Sequence, residues 1–482
     1  MKLYLRGHDD RYAVEQLQLA LFPDETMEPT DAPFAGDGAV SSLHIGAHRM
    51  TATTKLTLHG RTVRAIRWER ATLADDVPTR RRLLQNCYYD AAMQLRQPPE
   101  WGSLSGVRPT KLTTRCLLAG GTAKDADRLL EKSYHVTNER RRLCVECSEE
   151  TVKAAELLRP NDVSVYIGIP FCPTRCAYCS FVSASVERLR GLVPQFLDAL
   201  EREIAHVGTL LKRYGKCVRT LYIGGGTPTT LTTEQMSRLL EAIQTHFDLT
   251  ELIEYTVEGG RPDTLDLKKL QTIRAHGCDR MSINPQTMND AVLQAIGRRH
   301  SAAQTVAAFR AARAADFEGI NMDLIAGLPE DDPASFAASL AQVTALAPTN
   351  ITVHTLALKK GADLFFERMR LPTAEAVRQM LSEAEKTLRA AGYRPYYLYR
   401  QKYMSGSFEN VGWCKPDYAG LYNIYMMEEL HSIISLGGGG MTKINLPDGH
   451  LERFHNPKFP QQYIERIDDV LRQKNEAFSL LP

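Results

Sequence analysis

The sequence predicts an α/β protein: a partial (β/α)6 TIM-like barrel, preceded by an N-terminal α+β domain and followed by a small C-terminal domain. Two observations carry this. From residue 161 onward, strand-length apolar runs alternate regularly with helix-length amphipathic runs, the pattern of a parallel sheet covered by helices. The motifs able to carry chemistry fall where those strands end, which is where barrels of this kind place their chemistry.

The candidate strands are 164–169, 219–223, 254–258, 280–284, 319–324 and 350–356. Helices are expected between them at 188–213, 233–247, 265–276, 302–315 and 334–345. The first 160 residues read differently. Segments 2–6 and 53–58 have the alternation of short strands, and 80–95 and 122–158 read as helices. Between those helices lies the Gly/Pro-punctuated loop WGSLSGVRP, from Trp101 to Pro109. Arg159-Pro160-Asn161-Asp162 marks a boundary, which gives three domains: 1–160, 161–372 and 373–482. The last is a mixed stretch of helices and aromatic loops.

A chain of 482 residues exceeds one ordinary core. With 43% hydrophobic and 24% charged residues it has the balance of a globular protein. A formal net charge of +2 gives no reason to expect nucleic acid or an anionic membrane as partner. The runs Arg80-Arg81-Arg82 and Arg140-Arg141-Arg142 read as solvated helix faces. The opening MKLYLRGHDD lacks the apolar run of a signal peptide, and no stretch reaches the ~18 apolar residues of a membrane span. The expectation is a cytoplasmic protein without a membrane span. In that compartment ten cysteines point to metal binding rather than a disulfide framework.

The central segment is YIGIPFCPTRCAYCSF, with Cys172, Cys176 and Cys179 spaced C-x3-C-x2-C just after a strand. Three thiolates on one short loop can hold three irons of a [4Fe-4S] cubane and leave the fourth iron without a protein ligand. An open iron can chelate the amino and carboxylate groups of S-adenosylmethionine, and the reduced cluster can then break its C5′–S bond. The other readings are a structural zinc site or three unrelated thiols. Zinc normally takes four ligands, often as two separated pairs, and no second pair follows at a suitable spacing.

Other strand ends carry polar or flexible residues. Gly224-Gly225-Gly226-Thr227 follows the second strand, and such glycines let backbone approach a ligand. Glu258 ends the third, where a carboxylate can accept hydrogen bonds from ribose hydroxyls. Gln286 follows the fourth, and Asp323 ends the fifth. Arg298 lies in IGRRH. Taken singly, Glu258 is also a solvated charge, and Arg298 and Asp323 are also ion-pair or cap residues.

On these motifs the chain resembles the radical S-adenosylmethionine superfamily and, more narrowly, the oxygen-independent coproporphyrinogen III oxidase group. The resemblance runs from about Ser164 to beyond Leu436. WGSLSGVRPTK, TVEGGRPDT and the late stretch PYYLYRQKYMSGSFENVGWCKPDYAGLYNIYMMEE look like its coproporphyrinogen dehydrogenase branch. The resemblance implies that Tyr166, Tyr178, Gly225, Gly226, Thr227, Glu258, Gln286, Arg298 and Asp323 bind S-adenosylmethionine, some of them a second molecule. It also implies a tetrapyrrole substrate, an electron donor and an electron acceptor. The chain departs from the best-known oxidases in having Phe181 where they carry a further cysteine. Branches that modify, open or carry haem lack that cysteine too, so a haem-modifying enzyme and a haem chaperone stand beside the oxidase.

Weaker signals remain. Cys144 and Cys147 form an isolated C-x2-C on an expected helix, read as structural. His354 faces either substrate or core. Gly437 to Gly440 read as a flexible turn. Tyr393, Tyr396, Tyr397, Tyr399 and Tyr403 either cover a flat tetrapyrrole or pack between domains.

Overall fold

The structure is a computed structural model that describes residues 1–22, 25–70, 76–174, 176–179, 184–357, 369–400 and 408–482. Phe181 and Tyr403 lie outside the described residues. The chain divides into two compact units, Met1–Glu149 and Glu150–Pro482.

The first unit is a five-stranded sheet, β2-β1-β3-β4-β5, formed by β1 (Lys2–Arg6), β2 (Glu28–Thr30), β3 (Gly38–Ile45), β4 (Arg49–Leu58) and β5 (Arg61–Arg70). β1 runs parallel to β2 and β3, while β3, β4 and β5 form an antiparallel meander. Helices Arg11–Leu21 and Val77–Ala92 cover one face, burying Leu17, Leu56 and Tyr88 in one cluster and Met50, Ala52 and Leu84 in another. The expected helix at 122–158 is two helices, Ala123–Tyr134 and Asn138–Glu156. His135 stops the first by taking the left-handed conformation, φ 57°.

The second unit contains all six expected strands: β6 (Asp162–Ile169), β9 (Cys217–Gly225), β10 (Glu254–Gly260), β11 (Arg280–Ile283), β12 (Gly319–Ala326) and β13 (Asn350–Thr355). Each is parallel to the next. Their cores are apolar, as parallel strands covered on both faces must be. Val165, Ile167, Leu221, Ile223, Val257, Ile283, Leu324 and Ile351 are all buried. A minor ladder, β7 (Phe171–Cys172) with β8 (Ala184–Ser185), follows β6 directly.

Residues 373–482 contribute strands to this same sheet. β14 (Arg394–Arg400) and β15 (Glu409–Cys414) extend it antiparallel beyond β13. β16 (Ile433–Gly437) adds parallel to β6, followed by β17 (Met441–Asn445) and β18 (Leu451–His455). The result is an open sheet of eleven strands. Six strands alone would leave two edges of unpaired backbone N–H and C=O groups, and the late strands cover both. The helix Asn138–Glu156 ends within this unit, where Ala154 and Leu158 pack with Tyr396, Tyr397 and Tyr425. Helix Ile467–Ser479 is pinned from inside: Lys474 and Glu203, both fully buried, lie 3.3 Å apart. Glu203 also accepts hydrogen bonds from Gly437 N–H, Asn456 and Tyr463.

Candidate functional site

The C-terminal ends of the parallel strands surround a cleft of about 400 Å³. The cysteine loop forms one wall. Ala177 N–H donates to the Ile296 carbonyl at 3.1 Å, and Cys179 N–H donates to the Cys176 carbonyl at 3.1 Å, so the loop is laid on the segment that ends in Arg298. Cys172, Cys176 and Cys179 all line the cleft. Among the described residues, no three His, Cys, Asp or Glu side chains gather around one point as a single metal ion would require. A cubane asks for no such convergence, because each thiolate meets a different iron.

The glycine loop sits directly against Cys172. Gly226 N–H donates to the Ile169 carbonyl at 2.8 Å, and Thr227 N–H to the Phe171 carbonyl at 2.7 Å. A Cβ on Gly226 would lie 2.6 Å from the Phe171 carbonyl oxygen and 3.0 Å from the Cys172 sulfur. Gly225 has φ +113°, and a side chain there would strike Ile169. Glycine at both positions lets this loop close on the cysteine loop.

Glu258 and Asp323 face the same space from β10 and β12. Burial pushes the Glu258 carboxyl up to about 8, and the Asp323 charge adds to the rise, against hydrogen bonds from Gly225 N–H and Tyr222. Burial also works against charge on Asp323, but the nearby His354 imidazole and a hydrogen bond from Asn321 outweigh it and hold Asp323 below its ordinary value. Asn321 Nδ2 donates to Asp323 Oδ1 at 2.7 Å, and His354 Nε2 lies 3.6 Å from Asp323 Oδ2. Two close carboxylates thus differ in charge state.

Gln286 is held at φ +69°, a left-handed conformation costly for a residue with a Cβ. Its N–H donates to the Asp323 carbonyl and its carbonyl accepts from Ile325 N–H, both at 2.9 Å. The buried Gln286 Oε1 has no partner, nor does Arg298 Nε. Both side chains line the cleft. Arg298 Nη1 donates to the Asn284 carbonyl at 2.6 Å. Burial disfavours its charge, but contacts with Tyr178 and Cys176 more than restore it.

Tyr178, Gly225, Gly226, Thr227, Glu258, Gln286, Arg298 and Asp323 therefore share one cleft with the three cysteines. Tyr166 stands one ring behind it, stacked at 6.2 Å on Tyr222, which does line the cleft. Tyr422 completes the stack, 4.7 Å from Tyr222. Its helix, Leu421–Glu428, is fixed by buried Glu254, whose carboxylate accepts from Leu421 N–H at 2.6 Å and Tyr422 N–H at 3.1 Å. Tyr397 and Tyr399 also line the cleft, whereas Tyr393 and Tyr396 do not.

Several cleft residues are given no role by the sequence: Tyr222, Arg261, Asn284, Asn321 and Asn423. The sequence held a signal for those on strands. Asn321 and Asp323 are polar side chains at alternate positions of the otherwise apolar β12, and Tyr222 puts a hydroxyl between Leu221 and Ile223 of β9. Arg261 has a different cause: β10 bulges between Glu258 and Gly260. Its guanidinium is then held by Asp263, with Nη2 to Oδ2 at 2.8 Å, and donates to Thr174 of the cysteine loop. Cys144 and Cys147 lie on the part of the helix Asn138–Glu156 that belongs to the first unit, and neither lines the cleft.

The profile of the Radical SAM superfamily matches residues 166–342. HemZ of Bacillus subtilis (strain 168), an oxygen-independent coproporphyrinogen-III oxidase-like protein, is 40% identical over 381 residues, covering 78% of this chain and 76% of HemZ. The chain belongs to the radical SAM superfamily and, within it, to the coproporphyrinogen III oxidase-like group. The heme chaperone HemW of Escherichia coli (strain K12) is 28% identical over 320 residues, 64% of this chain and 78% of HemW. Among solved structures, coproporphyrinogen III oxidase HemN of Escherichia coli, a radical SAM enzyme, superposes with a TM-score of 0.54 at 25% identity, covering 66% of this chain and 72% of HemN. Membership brings the superfamily's cofactors, a [4Fe-4S] cluster and S-adenosylmethionine. The cleft fits them: three thiolates on one loop, a glycine cradle closed on Cys172, and two buried polar atoms without partners. Among the described residues, no helix is long and apolar enough to cross a membrane.

Proposed function

We propose that this chain catalyses the S-adenosylmethionine-dependent oxidative decarboxylation of coproporphyrinogen III to protoporphyrinogen IX, as an oxygen-independent coproporphyrinogen III oxidase of haem biosynthesis. The observation that carries the reading is the single cleft onto which the cysteine loop, the glycine loop, Glu258, Gln286, Arg298 and Asp323 all open, with Tyr397 and Tyr399 beside them. Cys172, Cys176 and Cys179 hold the cluster. Tyr178, Gly225, Gly226, Thr227, Glu258, Gln286, Arg298 and Asp323 bind S-adenosylmethionine, and Tyr166 supports that surface from behind Tyr222. Bound together, cluster and S-adenosylmethionine supply one-electron chemistry able to remove a hydrogen atom from an unactivated C–H bond.

The protein's own part is positioning and exclusion of water. Gly225 and Gly226 bring backbone against the cluster loop without side chains in between. Arg298 places a permanent positive charge beside Cys176 and Tyr178. Glu258 accepts ribose hydroxyls once it gives up its proton. Tyr397 and Tyr399 offer faces against which a flat tetrapyrrole packs. At each of two propionates the net change is loss of CO2, one hydrogen atom and one electron, leaving a vinyl group. The electron passes to an acceptor outside the chain.

The likeness to the heme chaperone HemW favours a second reading, haem binding without turnover. An anaerobic assay with coproporphyrinogen III, S-adenosylmethionine, a low-potential reductant and an electron acceptor separates the two. Two successive mass losses of CO2 plus two hydrogens, with 5′-deoxyadenosine formed alongside, are expected. Tight haem binding with neither tetrapyrrole changed establishes the chaperone instead. A methylated or opened haem establishes a haem-modifying enzyme.

A further inference from the structure

Among the described residues, helices cover one face of the first unit's sheet, and its other, open face has an unusual charge pattern. Buried Leu3, Ala39, Leu43, Met50 and Leu56 point toward the helices. Their sheet neighbours point the other way, in cross-strand rows fixed by the register. Arg70 lies beside Arg49; Trp68 beside Thr51 and His44; Ile66 beside Thr53, Ser42 and Arg6; Arg64 beside Lys55, Val40 and Tyr4. Trp68 is 62% exposed and Ile66 70%.

Six cations stand on this face: Lys2, Arg6, Arg49, Lys55, Arg64 and Arg70, all exposed and none in an ion pair among the described residues. The only carboxylate in these rows is Glu28, beside Lys2 on the edge strand β2. The charged residues that alternate with them on β5 behave oppositely: Arg67 pairs with Asp90, and Glu69 with Arg82, on the helix side. The whole chain's near-neutral net charge conceals this separation of charge by face.

We propose that this open face binds single-stranded nucleic acid. Unpaired cations spread over a flat sheet match a polyanionic backbone. An exposed indole among them offers a stacking platform that suits any base, and hydroxyls of Thr51, Thr53 and Ser42 lie in the adjoining rows. A duplex hides its base faces and cannot use Trp68. An anionic membrane would need apolar side chains that protrude beyond the charges, whereas Ile66 and Trp68 sit within a strand flanked by arginines.

The test is fluorescence anisotropy of the full chain with a labelled single-stranded RNA of ~12 nucleotides, within the range that one such groove accommodates. A dissociation constant of about 10⁻⁴–10⁻⁶ M at physiological salt is expected. Trp68→Ala should weaken it by about fivefold to a hundredfold, and Trp68→Phe much less. The Arg64→Ala/Arg70→Ala double variant should flatten the slope of log affinity against log salt by about 1.4, two phosphate contacts at ~0.7 each. All these side chains are solvent-exposed, so unchanged circular dichroism and binding of S-adenosylmethionine are expected. No binding of the RNA overturns the proposal. So does equal affinity for duplex and single strand with Trp68→Ala unchanged, which is plain ion exchange. Binding of phosphatidylglycerol vesicles in preference to RNA overturns it in favour of a membrane surface.

Discussion

Glu258 makes the proposed cofactor site sensitive to pH in a direction that can be worked out. In the free protein its carboxyl is pushed up to about 8, first by burial and then by the Asp323 charge. At pH 7 only about one-tenth of it is ionised, and bringing the rest to the charged form costs about 1.4 kcal/mol. Hydrogen bonds from ribose hydroxyls favour the carboxylate, so S-adenosylmethionine uptake should expel this proton. Affinity should then climb by up to about tenfold per pH unit below 8 and level off above it, a gain of about 25-fold from pH 6.5 to 8.5. Glu258→Gln removes that contribution. At pH 8.5 it should bind about ten- to a hundredfold more weakly than wild type, the value of a charged hydrogen bond, and at pH 6.5 the gap should largely close. The α-amino group of the ligand also titrates near here, but it does so equally for both proteins. The difference between them is therefore diagnostic. Anaerobic calorimetry in two buffers of unlike ionisation enthalpy counts the protons directly. Identical pH profiles for wild type and Glu258→Gln would refute the reasoning. Without ligand the sign reverses: the native state keeps a proton that the unfolded state releases, so this group's contribution to stability falls as pH rises from 4.5 toward 8.

Further outcomes follow from the same geometry. Replacing Cys172, Cys176 or Cys179 by Ala should abolish S-adenosylmethionine cleavage and lower the iron bound after anaerobic reconstitution, whereas Cys144→Ala and Cys147→Ala should leave iron content unchanged. Gly226→Ala drives a methyl to 2.6 Å from the Phe171 carbonyl, so the cysteine loop must move and bound iron should fall even where circular dichroism is unchanged. Lys474→Met strands the fully buried Glu203 carboxylate without its cation and should cost about 3–5 kcal/mol in chemical denaturation. The double variant Glu203→Leu/Lys474→Met should recover part of that loss.

Much of the catalytic unit was legible because its signals are local. The β6–Cys172 segment announces itself through three thiols at fixed spacing after a strand, and the glycine loop and Glu258 each come directly after a short strand-like run, Leu221-Tyr222-Ile223 and Tyr255-Thr256-Val257. The six parallel strands were readable for the same reason: burial on both faces forces the apolar run, and the run marks the strand. Residues 373–482 were harder. Nothing in β15 or β16 says which strand it will pair with, since edge pairing depends on unpaired backbone that exists only once β13 and β6 are in place. The expected boundary at residue 160 likewise falls beyond Glu149, the end of the compact first unit, because Ala154 and Leu158 find their apolar partners more than two hundred residues away.

The sequence by itself determined the class of fold, the cysteine loop and the strand-end residues, because each is a matter of side-chain type and short spacing. Only the tertiary structure decided their charge states and neighbours. Glu258 differs from an ordinary surface glutamate through burial and through Asp323, which lies sixty-five positions later in the chain. Arg261 enters the cleft through a bulge that no composition reveals. The open basic face arises because alternation on β1, β3, β4 and β5 is summed across strands, whereas net charge is summed along the chain. Electrostatics and burial depend on distance in space, and folding sets that distance.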